Sequence, residues 1–166
     1  MVLEHLAALK AFGIAIRAEI DASAIYNEIA ARVSNPILRQ RIDLLAGEES
    51  QHRQILEQAY QERFPEIPLE LPHSWLPNPI SCQALREMTP LKDILWCAIE
   101  EERRWHEFYL KSAEQTTDPG SKMMYRYLAD SEFSHKTALN AEYEMVARYP
   151  RYSGQDIKPW KPEPQR

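Results

Sequence analysis

Residues 12–57 slide onto residues 95–140 with a shift of 83 positions and no gap, and eleven positions then coincide. Average composition gives about three coincidences over such a span. The matches are Ala15/Ala98, Ile16/Ile99, Glu19/Glu102, Tyr26/Tyr109, Ala30/Ala113, Pro36/Pro119, Leu45/Leu128, Ala46/Ala129, Glu49/Glu132, His52/His135 and Leu56/Leu139. A chain that repeats itself in this way folds as two similar units, and whatever one half builds the other builds too.

Each unit is helical. Between the joints the apolar residues recur at helical spacing and strand-like alternation is rare. Only four residues are glycine, and the twelve prolines sit mostly at joints. Four helices are predicted, over about 3–33, 36–63, 90–116 and 119–149. Ser34-Asn35-Pro36 and Asp118-Pro119 each offer a polar cap followed by a proline at the first helical position, and Thr89-Pro90 opens the third helix the same way. The joints near Ser34-Asn35 and Thr117-Asp118 are short, which makes each half an antiparallel hairpin of helices. The middle connection, 64–89, is long and proline-rich. Two helical hairpins joined by such a span predict an all-α four-helix bundle with one long crossover, occupying residues 1–149 as a single domain. The tail, 150–166, is rich in proline and aromatic residues, and Tyr152 and Trp160 suit it to lie on the bundle or on a partner.

The bulk properties remove several classes. A net charge of −5 disfavours nucleic acid and anionic membranes as partners. No apolar run approaches the roughly 18 residues of a spanning helix, and the N-terminus lacks the basic region of a secretion signal. A cytoplasmic protein is the expectation. Cys82 and Cys97 form no CxxC, so neither a disulfide framework nor a thiolate metal site is read.

Chemistry enters through carboxylates in apolar stripes. Glu49-Ser-Gln-His52 and Glu132-Phe-Ser-His135 place a carboxylate and an imidazole three residues apart, on one helix face. Ile42, Leu45 and Leu56 share the first face; Tyr125, Leu128 and Leu139 share the second. Glu19 lies in a stripe with Phe12, Ala15, Ile16, Ala22 and Tyr26, and Glu102 in one with Leu95, Ala98, Ile99, Trp105 and Tyr109. A core-facing glutamate is costly unless it is paired or metal-bound. In both halves the lone glutamate precedes the paired one by thirty residues, which brings the two to similar depth in a hairpin. Four carboxylates crowded together repel one another, and two divalent cations offset them while the histidines stay neutral. Oxygen and imidazole donors without thiolate suit iron or manganese.

The segments AIRAEIDASAIY (15–26) and AIEEERRWHEFY (98–109), with the two ExxH helices, resemble the rubrerythrin family of ferritin-like di-iron carboxylate proteins over about residues 3–148. The resemblance implies two iron ions, with manganese or a mixed pair as variants. It implies Glu49 and Glu132 as bridges, Glu19 and Glu102 as terminal ligands, and His52 and His135 on one metal each. It places Tyr26, with its repeat mate Tyr109, behind the ligands. The activity implied is redox chemistry on peroxide or dioxygen, or ferrous iron oxidation. A di-iron oxygenase on an organic substrate and a non-catalytic metal-binding or storage module are the alternatives. The four-cysteine domain of full-length rubrerythrins does not occur in this sequence, so a separate electron-donor protein is expected. The third-helix glutamate that rubrerythrins carry three residues after the terminal one is Trp105 here, which reads as packing or as a cavity wall. His106 reads as solvated or partner-facing, with ligation as the lesser option. Glu100, Glu101, Arg103 and Arg104 read as a solvated face with local ion pairs, and Met123 and Met124 as packing. A homodimer is expected.

Overall fold

A computed structural model of the protein describes residues 2–73, 91–149 and 152. Cys82, Thr89, Pro90 and Trp160 lie outside them. Among the described residues four helices follow in order: α1 (Val2–Arg32), α2 (Pro36–Arg63), α3 (Leu91–Gln115) and α4 (Pro119–Arg148). No strand occurs among the described residues. No helix there is long and apolar enough to cross a membrane. The bundle is all-α, as the periodicity predicts.

The helix starts follow the capping residues. Asn35 Oδ1 accepts hydrogen bonds from the backbone N–H of Ile37 at 2.8 Å and Leu38 at 3.2 Å. Asp118 Oδ2 accepts from Ser121 N–H at 2.7 Å. In each case a proline follows, contributing no N–H that needs a partner. Asp118 has a second role. Its Oδ1 accepts from Arg63 at 2.7 Å, tying the end of the first hairpin to the start of α4. Arg63 beside it holds the Asp118 carboxyl well below the usual range. Asp118→Ala is therefore expected to cost about 1–2 kcal/mol in thermal unfolding, whereas Asp118→Asn, which keeps the cap, costs less. The contribution of the depressed carboxyl is present above pH about 4 and is lost as pH falls.

Two apolar clusters fill the interior, one toward each end. One gathers Ala8–Ala18 of α1, Leu56, Tyr60 and Phe64, Trp105, Tyr109 and Ala113, and Tyr125 to Ala129. The other gathers Tyr26 to Val33, Leu38 to Ala46, Leu91 to Ile99 and Leu139. The memberships fix the directions: α1 and α4 run from the first cluster to the second, α2 and α3 the reverse. The crossover must therefore return the whole length of the bundle, roughly 40 Å for 28 residues of helix. That is why it is long. Its described part lies against α1: a Cβ at Gly13 would meet the Glu70 carbonyl at 2.8 Å, so only glycine admits this approach. Tyr60 donates to the Pro68 carbonyl at 3.1 Å from the other side.

At the opposite end Tyr152 docks. Its hydroxyl donates to Glu142 at 2.8 Å, Arg41 pairs with the same carboxylate, and Asn35 donates to the Tyr152 carbonyl. Tyr152 thus sits over the turn of the first hairpin. Leu38, Ile42, Ile94, Leu95, Leu128 and Leu139 are wholly buried. Each contributes about 1.5–3 kcal/mol, and together they offset the polar waist between the clusters.

Candidate metal centre

That waist is the site. On every helix the apolar run breaks at mid-length, and the break holds the residues that the repeat singles out. Glu19, Glu49, Glu102, Glu132 and His135 are all at most 4% exposed. His52 is more open, with 11% of its side chain exposed. Their donor atoms form two groups, Glu19–Glu49–His52 and Glu49–Glu102–Glu132–His135, in each of which the atoms lie within 4.8 Å of one another. All six predicted ligands are therefore brought together, and Glu49 belongs to both groups.

His52 Nδ1 lies 3.2 Å from Glu49 and 3.4 Å from Glu19. His135 Nδ1 lies 2.9 Å from Glu49, 3.7 Å from Glu132 and 3.8 Å from Glu102. The two imidazoles are nearly parallel, with centroids 5.8 Å apart. Both oxygens of Glu19, one each of Glu49 and Glu102, and Nδ1 of His135 are buried without a hydrogen-bond partner. Buried polar atoms are almost always paired. Carboxylate oxygens turned toward one another around the imidazole nitrogens share a common space that a cation fits. The donor set fits two divalent ions by charge and by chemistry.

The electrostatics show the same tension. Burial, then the Glu49 carboxylate, drives Glu19 well above its ordinary range. Burial and Glu132 do the same to Glu102. Burial pushes Glu132 up to about 7. Glu49 is the exception: burial raises it, but His135 and His52 outweigh that and hold it at about 2. Burial lowers His135, but Glu132 and Glu49 outweigh it and push it up to about 12. Without metal the site therefore keeps protons where carboxylates crowd and one ion pair, Glu49 with His135.

The outer contacts repeat with the chain. Tyr26 of the first hairpin donates to Glu102 of the second. Its mate Tyr109 stands near Glu19, whose charge adds to burial in raising the phenol. Two outer residues were not legible in the sequence. Glu48 Oε2 lies 3.1 Å from His135 Nε2, and Ser131 Oγ lies 3.4 Å from His52 Nε2. The shift of 83 pairs Glu48 with Ser131, but nothing in the helical pattern singles out either of them.

His106 is not among the grouped donors. Its Nδ1 donates to the Ala129 carbonyl at 2.7 Å. Its repeat mate Ser23 donates to the Ala46 carbonyl at 3.1 Å, so both residues tie their hairpins together. Trp105 is buried and stacks on Tyr109 at 5.4 Å, a packing role. Two expectations need correction, the solvated Glu101 and the packed Met123. Glu101 is buried, with Arg104 on its carboxylate at 2.9 Å; Arg103, bridging Glu100 and Glu107, keeps the expected surface pairing. Met123 is 73% exposed and packs into no core. It lines a groove of about 630 Å³ with Phe12, Ile55, Leu56 and Tyr127 that reaches His52. The groove lies where α2 and α4 stand apart, which no single-helix pattern records.

A comparison with protein-family models matches the model described as Rubrerythrin over residues 10–143. Among solved structures, a hypothetical protein from Pyrococcus furiosus is 32% identical, with a TM-score of 0.70, covering 85% of this chain and 90% of that one. A comparison with curated proteins gives no match.

Proposed function

The chain belongs to the rubrerythrin family, and from that premise we propose that it is a di-iron redox protein acting on peroxide or dioxygen, or on ferrous iron. One observation carries the reading: six donors meet at the waist of the bundle, five of them buried, and leave unpartnered atoms facing one another. Glu19, Glu49 and His52 would hold one iron; Glu49, Glu102, Glu132 and His135 the other. Manganese or a mixed pair fits the same donors. Bound iron would supply electrons to the oxidant and take them back from a separate donor protein.

The remaining residues do what the chain itself can do. The two apolar clusters exclude water from above and below. Tyr26 holds Glu102 in place with its phenolic proton. The partly exposed His52 and the groove beside it give a small oxidant a way in. A cytoplasmic homodimer is part of the proposal.

That groove favours a second reading, an oxygenase whose apolar organic substrate lies against His52. The two are separable. Protein purified without added metal is expected to carry iron, and after iron loading to bind about two ions per chain. Stopped-flow mixing of the reduced protein with peroxide is expected to oxidise it without any organic substrate. Oxidation only when an apolar substrate is present would favour the oxygenase. A protein that binds two irons and stays reduced under both peroxide and air would overturn both and leave a storage role.

A further inference from the structure

We propose that the two metal positions are unequal and fill in order, the one at His135 first, with Glu48 as the residue that sets the order. This rests on the two-metal reading above and concerns what the repeat does not duplicate. A perfect repeat would give two equal positions. The halves diverge at the residue before each paired glutamate, Glu48 in one and Ser131 in the other.

The consequence is chemical. A carboxylate only accepts, so at 3.1 Å His135 Nε2 must carry the proton that Glu48 receives. When a metal takes the place of the Nδ1 proton in the ion pair with Glu49, Nδ1 presents its lone pair toward Glu49, Glu102 and Glu132, and the carboxylate on Nε2 makes it a better donor to that metal. Ser131 sits at 3.4 Å from His52 Nε2, is neutral, and can donate or accept, so it fixes neither tautomer nor charge. Two further asymmetries point the same way. Four donors converge at His135 and three at His52. Tyr26 steadies Glu102 on the His135 side, whereas the Tyr109 hydroxyl has no hydrogen-bond partner among the described residues. His52 also faces the open groove, so the weaker position is the accessible one. Glu48 is a positioning residue: it acts on the metal through His135.

Stepwise addition of Co(II) to the metal-free full chain under argon, followed by calorimetry and visible absorption, tests this. Two resolved steps are expected, the first at least about tenfold tighter. Glu48→Ala is expected to weaken the first step roughly 10–100-fold and leave the second within about twofold. Glu48→Gln, which keeps an acceptor, is expected to weaken it less. Ser131→Ala is expected to touch only the second step. Because Glu48 is exposed over 55% of its side chain, these variants keep the core intact. One constant for both ions, or a first step unmoved by both Glu48 variants, overturns the proposal while the two-metal reading stands. No Co(II) bound at all overturns both.

Discussion

Replacing Glu49 by glutamine is expected to empty both metal positions at once. Glu49 is the one donor common to both groups, with one oxygen 3.2 Å from His52 and the other 2.9 Å from His135. Glutamine keeps the volume and loses the charge and half the acceptor capacity, so it does not open a cavity. At a free-metal level where the natural chain holds about two ions, the variant is expected to hold well under one. The neighbours give the contrast. Glu19→Gln removes a donor from one group only, and Glu132→Gln from the other. Each is expected to retain about one ion. Metal analysis with Co(II) calorimetry on the three variants measures this. Equal losses for Glu49→Gln and Glu19→Gln would remove Glu49 from its shared place.

Much of this was readable in the sequence, for a physical reason that also marks the limit. A helix is a local object. Pro36 with Asn35, and Pro119 with Asp118, fix where α2 and α4 begin, and the apolar stripes fix which faces turn inward. A glutamate in such a stripe is legible because its burial needs a compensating charge, which is how Glu19 and Glu102 were found. Contacts between the two hairpins are another matter. Glu48 and His135 lie 87 positions apart and on different hairpins. Glu48 is solvated over half its surface, so no periodicity distinguishes it from Gln51 or Gln54. The repeat relates one hairpin to the other but does not say how closely they dock. The groove at His52, lined from both hairpins, depends on that docking. His106 shows the converse. Its pattern suggested a solvated or partner-facing side chain, with ligation as the lesser option, yet only its repeat mate Ser23, on the equivalent carbonyl, reveals the tie it makes.

Metal removal is expected to reverse the sign of the pH dependence of stability. In the metal-free protein Glu19, Glu102 and Glu132 have pKa values raised above those of the unfolded chain, Glu132 to about 7. Such groups bind more protons folded than unfolded, so the fold loses stability as pH rises from about 4.5 through the raised values. His135, raised to about 12, adds to the same trend, because its contribution is full below about 6.5 and declines above. Glu49, held at about 2, works the other way, but its window lies below pH 4.5. Between pH 5 and 8 the metal-free protein is therefore expected to become less stable, on the order of 1 kcal/mol per pH unit for each such group. That is roughly 2–4 °C of melting temperature per group and pH unit for a chain of this size. Metal binding needs those same atoms deprotonated, so each displaced proton makes binding about tenfold tighter per pH unit. A bound ion at a thousand times its dissociation constant adds about 4 kcal/mol. Melting curves with and without chelator should thus lie close together at pH 5 and separate steadily toward pH 8. Calorimetry of Co(II) binding in buffers of different ionisation heat should show protons released. Parallel curves across the range, or metal binding without proton release, would mean that the waist carboxylates are not the groups that meet the metal.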